Sequence, residues 1–155
     1  MGKRGQVAKT EVERRVAAFK ATCRDKGIRL TPQRLEVFRE VASSLEHPDA
    51  QTVYQAVHAR MPSVSLDTVY RTLWMLNDLG LVSTLGLSRE NVRFDGNPRK
   101  HHHFVCVQCG LTRDFENKKL DALRLPDSAK AFGKVLSTRI EVCGVCEDCS
   151  RKKGS

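Results

Sequence analysis

The 155 residues carry 27 Lys or Arg against 18 Asp or Glu, a formal net charge of +9, with 6 cysteines. A chain of this length makes one or two small domains. No apolar run approaches the ~18–20 residues of a membrane span, and no apolar stretch follows the charged N-terminus as in a signal peptide, so the expected location is the cytoplasm. Thiols stay reduced there, and six cysteines that include two C-x-x-C pairs read as metal ligands before disulfides. Ten basic residues stand against three acidic ones in residues 1–34. Such a surface attracts a polyanion, of which nucleic acid is the commonest in a cytoplasm.

The spacing of Val12, Val16, Phe19 and Cys23 predicts a helix over 10–26, which Gly27 ends. Thr31 and Pro32 open a second helix as N-cap and first helical residue. Its buried stripe is Leu35, Phe38, Val41 or Ala42, and Leu45, and His47-Pro48 breaks it. A third helix from about Ala50 to Met61 buries Val53, Tyr54, Val57 and Met61. Ser65 caps a fourth, which stops at Gly80 and turns Leu66, Val69, Leu73 and Leu76 inward. Its other face shows Thr68, Arg71, Thr72 and Met75, with Tyr70 at the margin, a mixture suited to base edges and phosphates. Leu81–Leu85 and Val92–Phe94 read as strands about a turn containing Gly86, Ser88 and Asn91. Helices followed by a hairpin are the order of a winged helix-turn-helix.

Asp95-Gly96-Asn97-Pro98 is the candidate hinge. Beyond it, H-H-H-F-V-C-V-Q-C at 101–109 concentrates the chemistry. On a strand, His101 and His103 share one face and His102 takes the other, and imidazoles bind iron, manganese and zinc well. Cys106 and Cys109 with Cys146 and Cys149 make a tetrahedral four-thiolate zinc cage. The chain returns through Leu111 to Glu116, then forms a helix from about Lys118 to Leu125, a loop at Pro126, and a strand through Val135, Ile140 and Val142 to the second knuckle. So small a second half motivates both a zinc staple and a partner subunit.

The segments T-P-Q-R at 31–34, H-P at 47–48, S-L-D-T-V-Y-R-T-L at 65–73, G-L-V at 80–82, R-F-D at 93–95, H-H-H-F-V-C-V-Q-C-G at 101–110 and G-V-C-E-D-C at 144–149 resemble the ferric uptake regulator (Fur) superfamily of metal-dependent repressors. The likeness spans about residues 14–152. It implies an α+β protein: a winged helix-turn-helix with a basic arm over 1–94, a hinge at 95–99, and a small α/β dimerisation domain with a structural four-cysteine zinc site over 100–155. It further implies a homodimer on an inverted-repeat operator of double-stranded DNA, with no enzyme activity, no membrane, and no small-molecule substrate other than peroxide as a signal. By the same resemblance the structural zinc falls on Cys106, Cys109, Cys146 and Cys149, with Cys143 left out. A regulatory Fe(II) or Mn(II) falls on His47, Asp95, His101, His103 and Asp114. Three imidazoles with two carboxylates suit those metals, whereas sulfur suits zinc. Thr68, Tyr70, Arg71, Thr72 and Arg34 are the candidate DNA contacts.

R-F-D at the hinge and Asp at 114 resemble the peroxide-sensing PerR branch. There Fe(II) reacts with peroxide and oxygen is added to a histidine ligand, His47 or His101 here, releasing repression. The alternative keeps the fold with iron or zinc supply as the signal. A metalloenzyme would need an open coordination position, for which five protein ligands leave little room. A zinc-ribbon interaction module would bind without regard to operator sequence or to Fe and Mn.

Overall fold

A computed structural model of the chain describes residues 5–86 and 92–153. Lys3, Arg4, Ser88 and Asn91, which belong to the expected basic arm and hairpin turn, lie outside the described residues. The chain divides into two compact units, Met1–Pro98 and Arg99–Ser155.

In the first unit four helices, α1 (Lys9–Asp25), α2 (Pro32–Ser43), α3 (Ala50–Arg60) and α4 (Leu66–Asp78), precede strands β1 (Ser83–Leu85) and β2 (Arg93–Asp95). Each of the last three helices starts where a side-chain oxygen accepts a backbone N–H of the first turn: Thr31 from Arg34, Asp49 from Thr52, Ser65 from Thr68. Those bonds satisfy donors that the helix geometry leaves open. Val12, Val16, Phe19 and Cys23 of α1 face Val37, Phe38 and Val41 of α2 in one core, with the Phe19 and Phe38 rings 4.8 Å apart. Burial raises the Cys23 thiol pKa, so this residue behaves as a small apolar side chain.

Two expectations for this unit need correction. Leu45 is 40% exposed, because α2 ends at Ser43 and the chain beyond it pairs with residues 5–7; Val37 takes the buried place instead. Thr72 is 4% exposed, packed beside Leu73 and Val69 on the inner side of α4 rather than on its outer face.

β1 and β2 pair antiparallel, Ser83 opposite Asp95. On its other side β2 meets the segment after α2: the Phe94 N–H donates to the Pro48 carbonyl at 3.0 Å, and Asp49 bridges Arg93. This two-sided pairing brings Asp95 beside His47. Gly96 follows, and a Cβ there would stand 3.0 Å from the Ala42 Cα and 3.1 Å from the Val41 oxygen. Backbone cannot turn aside as a side chain can. Gly96→Ala is expected to lower stability by about 1–3 kcal/mol, read as a depressed Tm of the full chain, whereas Gly27→Ala meets nothing within 4 Å and is disfavoured only by its positive φ.

The second unit is a three-stranded sheet in the order β4-β3-β5, with β3 (His102–Cys106), β4 (Thr112–Phe115) and β5 (Glu141–Gly144). β4 runs antiparallel to β3, and β5 parallel to it. The helix expected over 118–125 is only α5 (Lys118–Asp121). A further turn, α6 (Asp127–Lys130), follows the expected loop at Pro126, and the strand begins at Glu141 rather than near Val135. α7 (Glu147–Lys153) closes the described chain. Among the described residues Cys106 is the only buried apolar residue of this unit, while Phe132 and Leu136 are 93% and 86% exposed. No described helix is long and apolar enough to cross a membrane.

Candidate metal centres and nucleic-acid surface

The cage is built by strand direction. β3 and β5 run parallel with Cys106 opposite Gly144, so both strands deliver a C-x-x-C at the same end of the sheet. Cys106 ends β3, and the tight turn to Gly110 (φ 75°) presents Cys109. Cys146 precedes α7 and Cys149 lies within it. One sulfur from each of the four lies within 4.8 Å of the others, and Cys109 and Cys146 are 3.7 Å apart. Four Zn–S bonds of about 2.3 Å in a tetrahedron place sulfurs roughly 3.8 Å apart, so the residues fit zinc.

Electrostatics agree. Backbone N–H groups of Cys109 and Cys146 draw the Cys106 thiol down to about 6, and the Cys146 N–H lies 3.4 Å from its sulfur. Cys149 is pushed up to about 12 by the neighbouring Cys146 and Cys109 sulfurs. Four thiols so close do not ionise together unless a cation balances them. Cys143 stands outside the cage, exposed on β5 with its S–H directed to Glu141.

Upstream of the cage, His101 and His103 share a face and their Nε2 atoms are 3.0 Å apart. The Nδ1–H of His101 donates to the Arg99 carbonyl at 2.6 Å, which leaves the Nε2 lone pair facing His103. Asp114 sits opposite His103 in the β3–β4 register, its oxygens 3.4 Å from His103 Nε2 and 3.6 Å from His101 Nε2. Ligand atoms on one ion, with bonds near 2.1 Å, lie roughly 3.0–3.5 Å apart. The buried pair of imidazoles with this carboxylate therefore fits a divalent cation.

His102 points the other way and serves the sheet. Its Nδ1 accepts the Ile140 N–H at 3.3 Å and its Nε2–H donates to Asp121 at 3.1 Å, pinning β3 between α5 and β5. Lys100 is likewise held by the Asp121 carbonyl, at 2.9 Å.

In the first unit His47 and Asp95 are 2% exposed each, with His47 Nδ1 3.7 Å from the Asp95 carboxylate. His47 takes φ 50°, the left-handed region, unusual for a residue with a Cβ. Pro48 disfavours the right-handed helical alternative, and the strain is of the kind stored at functional positions. Asp95 also accepts the Asn97 N–H at 2.8 Å, closing a turn over 95–97.

Of the residues expected at DNA, Arg34, Thr68, Arg71 and Thr72 line one groove between the start of α2 and α4, with Thr72 buried. Arg29 and Gln33 line it too and escape a reading of the sequence alone; their place beside the Thr31 cap is the available signal. Arg71 pairs with Asp67 at 2.5 Å, both exposed. Tyr70 lies outside this groove, 44% exposed.

A model of the ferric uptake regulator family matches residues 25–143. The peroxide-responsive repressor PerR of Staphylococcus aureus is 38% identical over 133 residues, which cover 85% of this chain and 89% of that protein. Among solved structures, the Helicobacter pylori ferric uptake regulator Fur matches with a TM-score of 0.71 at 21% identity, covering 96% of this chain and 97% of that one. A zinc uptake regulator complexed with zinc and DNA matches with a TM-score of 0.65 at 22% identity, covering 95% and 100%.

Proposed function

Because the chain belongs to the ferric uptake regulator family, we propose that it is a metal-dependent repressor that binds an inverted-repeat operator as a homodimer and releases it on exposure to peroxide. The observation that carries this reading is the 38% identity to a peroxide-responsive repressor across most of both chains. The donor chemistry supports it: a thiolate set suited to zinc, and imidazoles with carboxylates suited to Fe(II) or Mn(II).

In this reading His47 and Asp95 of the first unit and His101, His103 and Asp114 of the second hold one regulatory ion. A shared ion restricts the two units to one orientation, and operator affinity is thereby linked to metal. A bound Fe(II) would activate peroxide toward its imidazole ligands: one peroxide oxygen would be added at a ring carbon, which gives up the two electrons, and the other would leave as water. His47 and His101 hold the ion and are the proposed sites of oxygen addition, after which the weakened ligand set releases it. The hinge turn at Asp95 and the Arg99 bond to His101 keep the ligands oriented. Exposed Phe132, Leu136, Leu123 and Val107 in a unit with almost no buried apolar side chain support a covering second copy.

The test begins by selecting duplexes from a random pool with the Mn(II)-loaded protein. Binding to a selected duplex is then compared for apo, Mn(II) and Fe(II) forms, with and without peroxide, and peptides bearing His47 and His101 are weighed. A peroxide signal predicts release from the Fe(II) form alone, with added oxygen on one of those peptides. Iron or zinc supply as the signal predicts release by metal depletion with no added mass. Equal binding in every condition rejects metal control.

The groove on α4 yields its own expectation. Arg71→Ala should weaken binding to the selected duplex about tenfold to a hundredfold, the cost of roughly 1–3 kcal/mol for a lost base contact. Since the exposed Asp67 pair contributes at most about 1 kcal/mol to the free protein, folding should hardly change. An unchanged affinity would remove Arg71 from the reading surface.

A further inference from the structure

The first unit contains a cavity of about 390 Å³ with no part in the zinc cage, the His/Asp pairs or the α2–α4 groove. Tyr70, Trp74 and Phe94 line it together with Asp49 and Gln51. Tyr70 and Trp74 are one turn apart on α4 and so share a face. The Trp74 and Phe94 rings meet edge to face, centroids 5.8 Å apart and 78° between planes, which makes a concave aromatic corner. Trp74 is 37% and Tyr70 44% exposed while Phe94 is 1% exposed, so the two α4 rings form the open wall of the cavity and Phe94 backs it.

Aromatic faces are electron-rich and attract cations. Asp49 adds a full negative charge at the rim. It caps α3, taking the Thr52 N–H at 2.7 Å, and the positive end of that helix offsets only about half a charge. No basic side chain lines the cavity among the described residues, and the nearby Arg93 guanidinium donates instead to the Glu46 carbonyl. A carboxylate and an amide oxygen favour a cation that donates N–H groups over a quaternary one. The volume lies at the small end of ligand sites, enough for a short alkyl chain. We propose that this cavity binds a primary alkylammonium ion, the end group of aliphatic di- and polyamines.

Trp74 is the single tryptophan, so its emission reports on the cavity directly. The zinc-loaded full chain is titrated with n-butylammonium chloride, with n-butanol as the uncharged match and sodium chloride as the ionic control. A saturable emission change is expected with the ammonium ion alone. Asp49→Asn keeps an effective helix cap and is expected to weaken binding about tenfold or more, through loss of a charge-assisted hydrogen bond. Tyr70→Leu, on the exposed wall, should weaken it as well while leaving Asp49 in place. An equal response to butanol, an emission change no larger than with sodium chloride, or undiminished binding by both variants would overturn the proposal.

Discussion

Replacing Cys106 by serine is expected to cost the second unit its zinc and its fold together. Cys106 is 1% exposed, accepts the Cys146 N–H, and terminates β3 at the point where the two knuckles meet. A hydroxyl is a poor substitute for thiolate at a soft tetrahedral site. Little else holds the second unit: among its described residues the other buried ones are His101, His102, His103 and Thr112, all polar. Apparent zinc affinities in small four-ligand domains are about 10–16 kcal/mol, and most of that is folding free energy. Metal analysis should find one tightly held zinc per chain in the unaltered protein and none in Cys106→Ser. The variant should also lose its metal-linked thermal transition. Cys143→Ser, outside the cage, should keep both. A Cys106→Ser chain with undiminished zinc and Tm would mean that the cage is not structural.

The second large effect is expected at Asp114. Its carboxylate faces both His101 and His103. Asp114→Asn preserves size and the pairing with His103 while removing the charge that a divalent cation needs. Operator affinity of the unaltered protein should rise with Mn(II) by a factor of about 5–150, the usual range for coupled sites. In Asp114→Asn that rise should vanish at the same Mn(II) concentration, with zinc content and Tm retained. Retention of the zinc separates this outcome from simple unfolding. A variant whose affinity still climbs with Mn(II) as before would take Asp114 out of the regulatory site.

Local rules make much of this chain legible. Thr31 and Ser65 stand out as caps because a hydroxyl oxygen three residues ahead of its partner N–H is a contact within one turn. The period of Val12, Val16, Phe19 and Cys23 marks a buried stripe for the same reason. The alternation of His101, His102 and His103 follows from strand pleating alone, although only the structure gives His102 its partners, Asp121 and Ile140. Errors arise where neighbours in space decide. Thr72 looks exposed by its chemistry, yet a threonine on an inner face packs its methyl group well enough to be buried. The helix after Lys118 stops early because Leu123 has no core to join, being 56% exposed. Residues 132–139, which include Phe132, Val135 and Leu136, form no strand, since pairing with β3 starts only at Glu141. Gly96 reads as a turn residue; its closeness to Ala42 depends on a packing that the sequence does not display.

The parallel pairing of β3 and β5 has an implication for biosynthesis. Cys109 and Cys146 are 37 positions apart, so the cage stays half made until the ribosome has passed the second knuckle. A nascent chain halted before Cys146 carries only two of the four cage thiols, Cys106 and Cys109, too few to close the site, and keeps its second unit unassembled. Prematurely terminated products would thus be left open to proteases instead of joining full-length chains as defective partners.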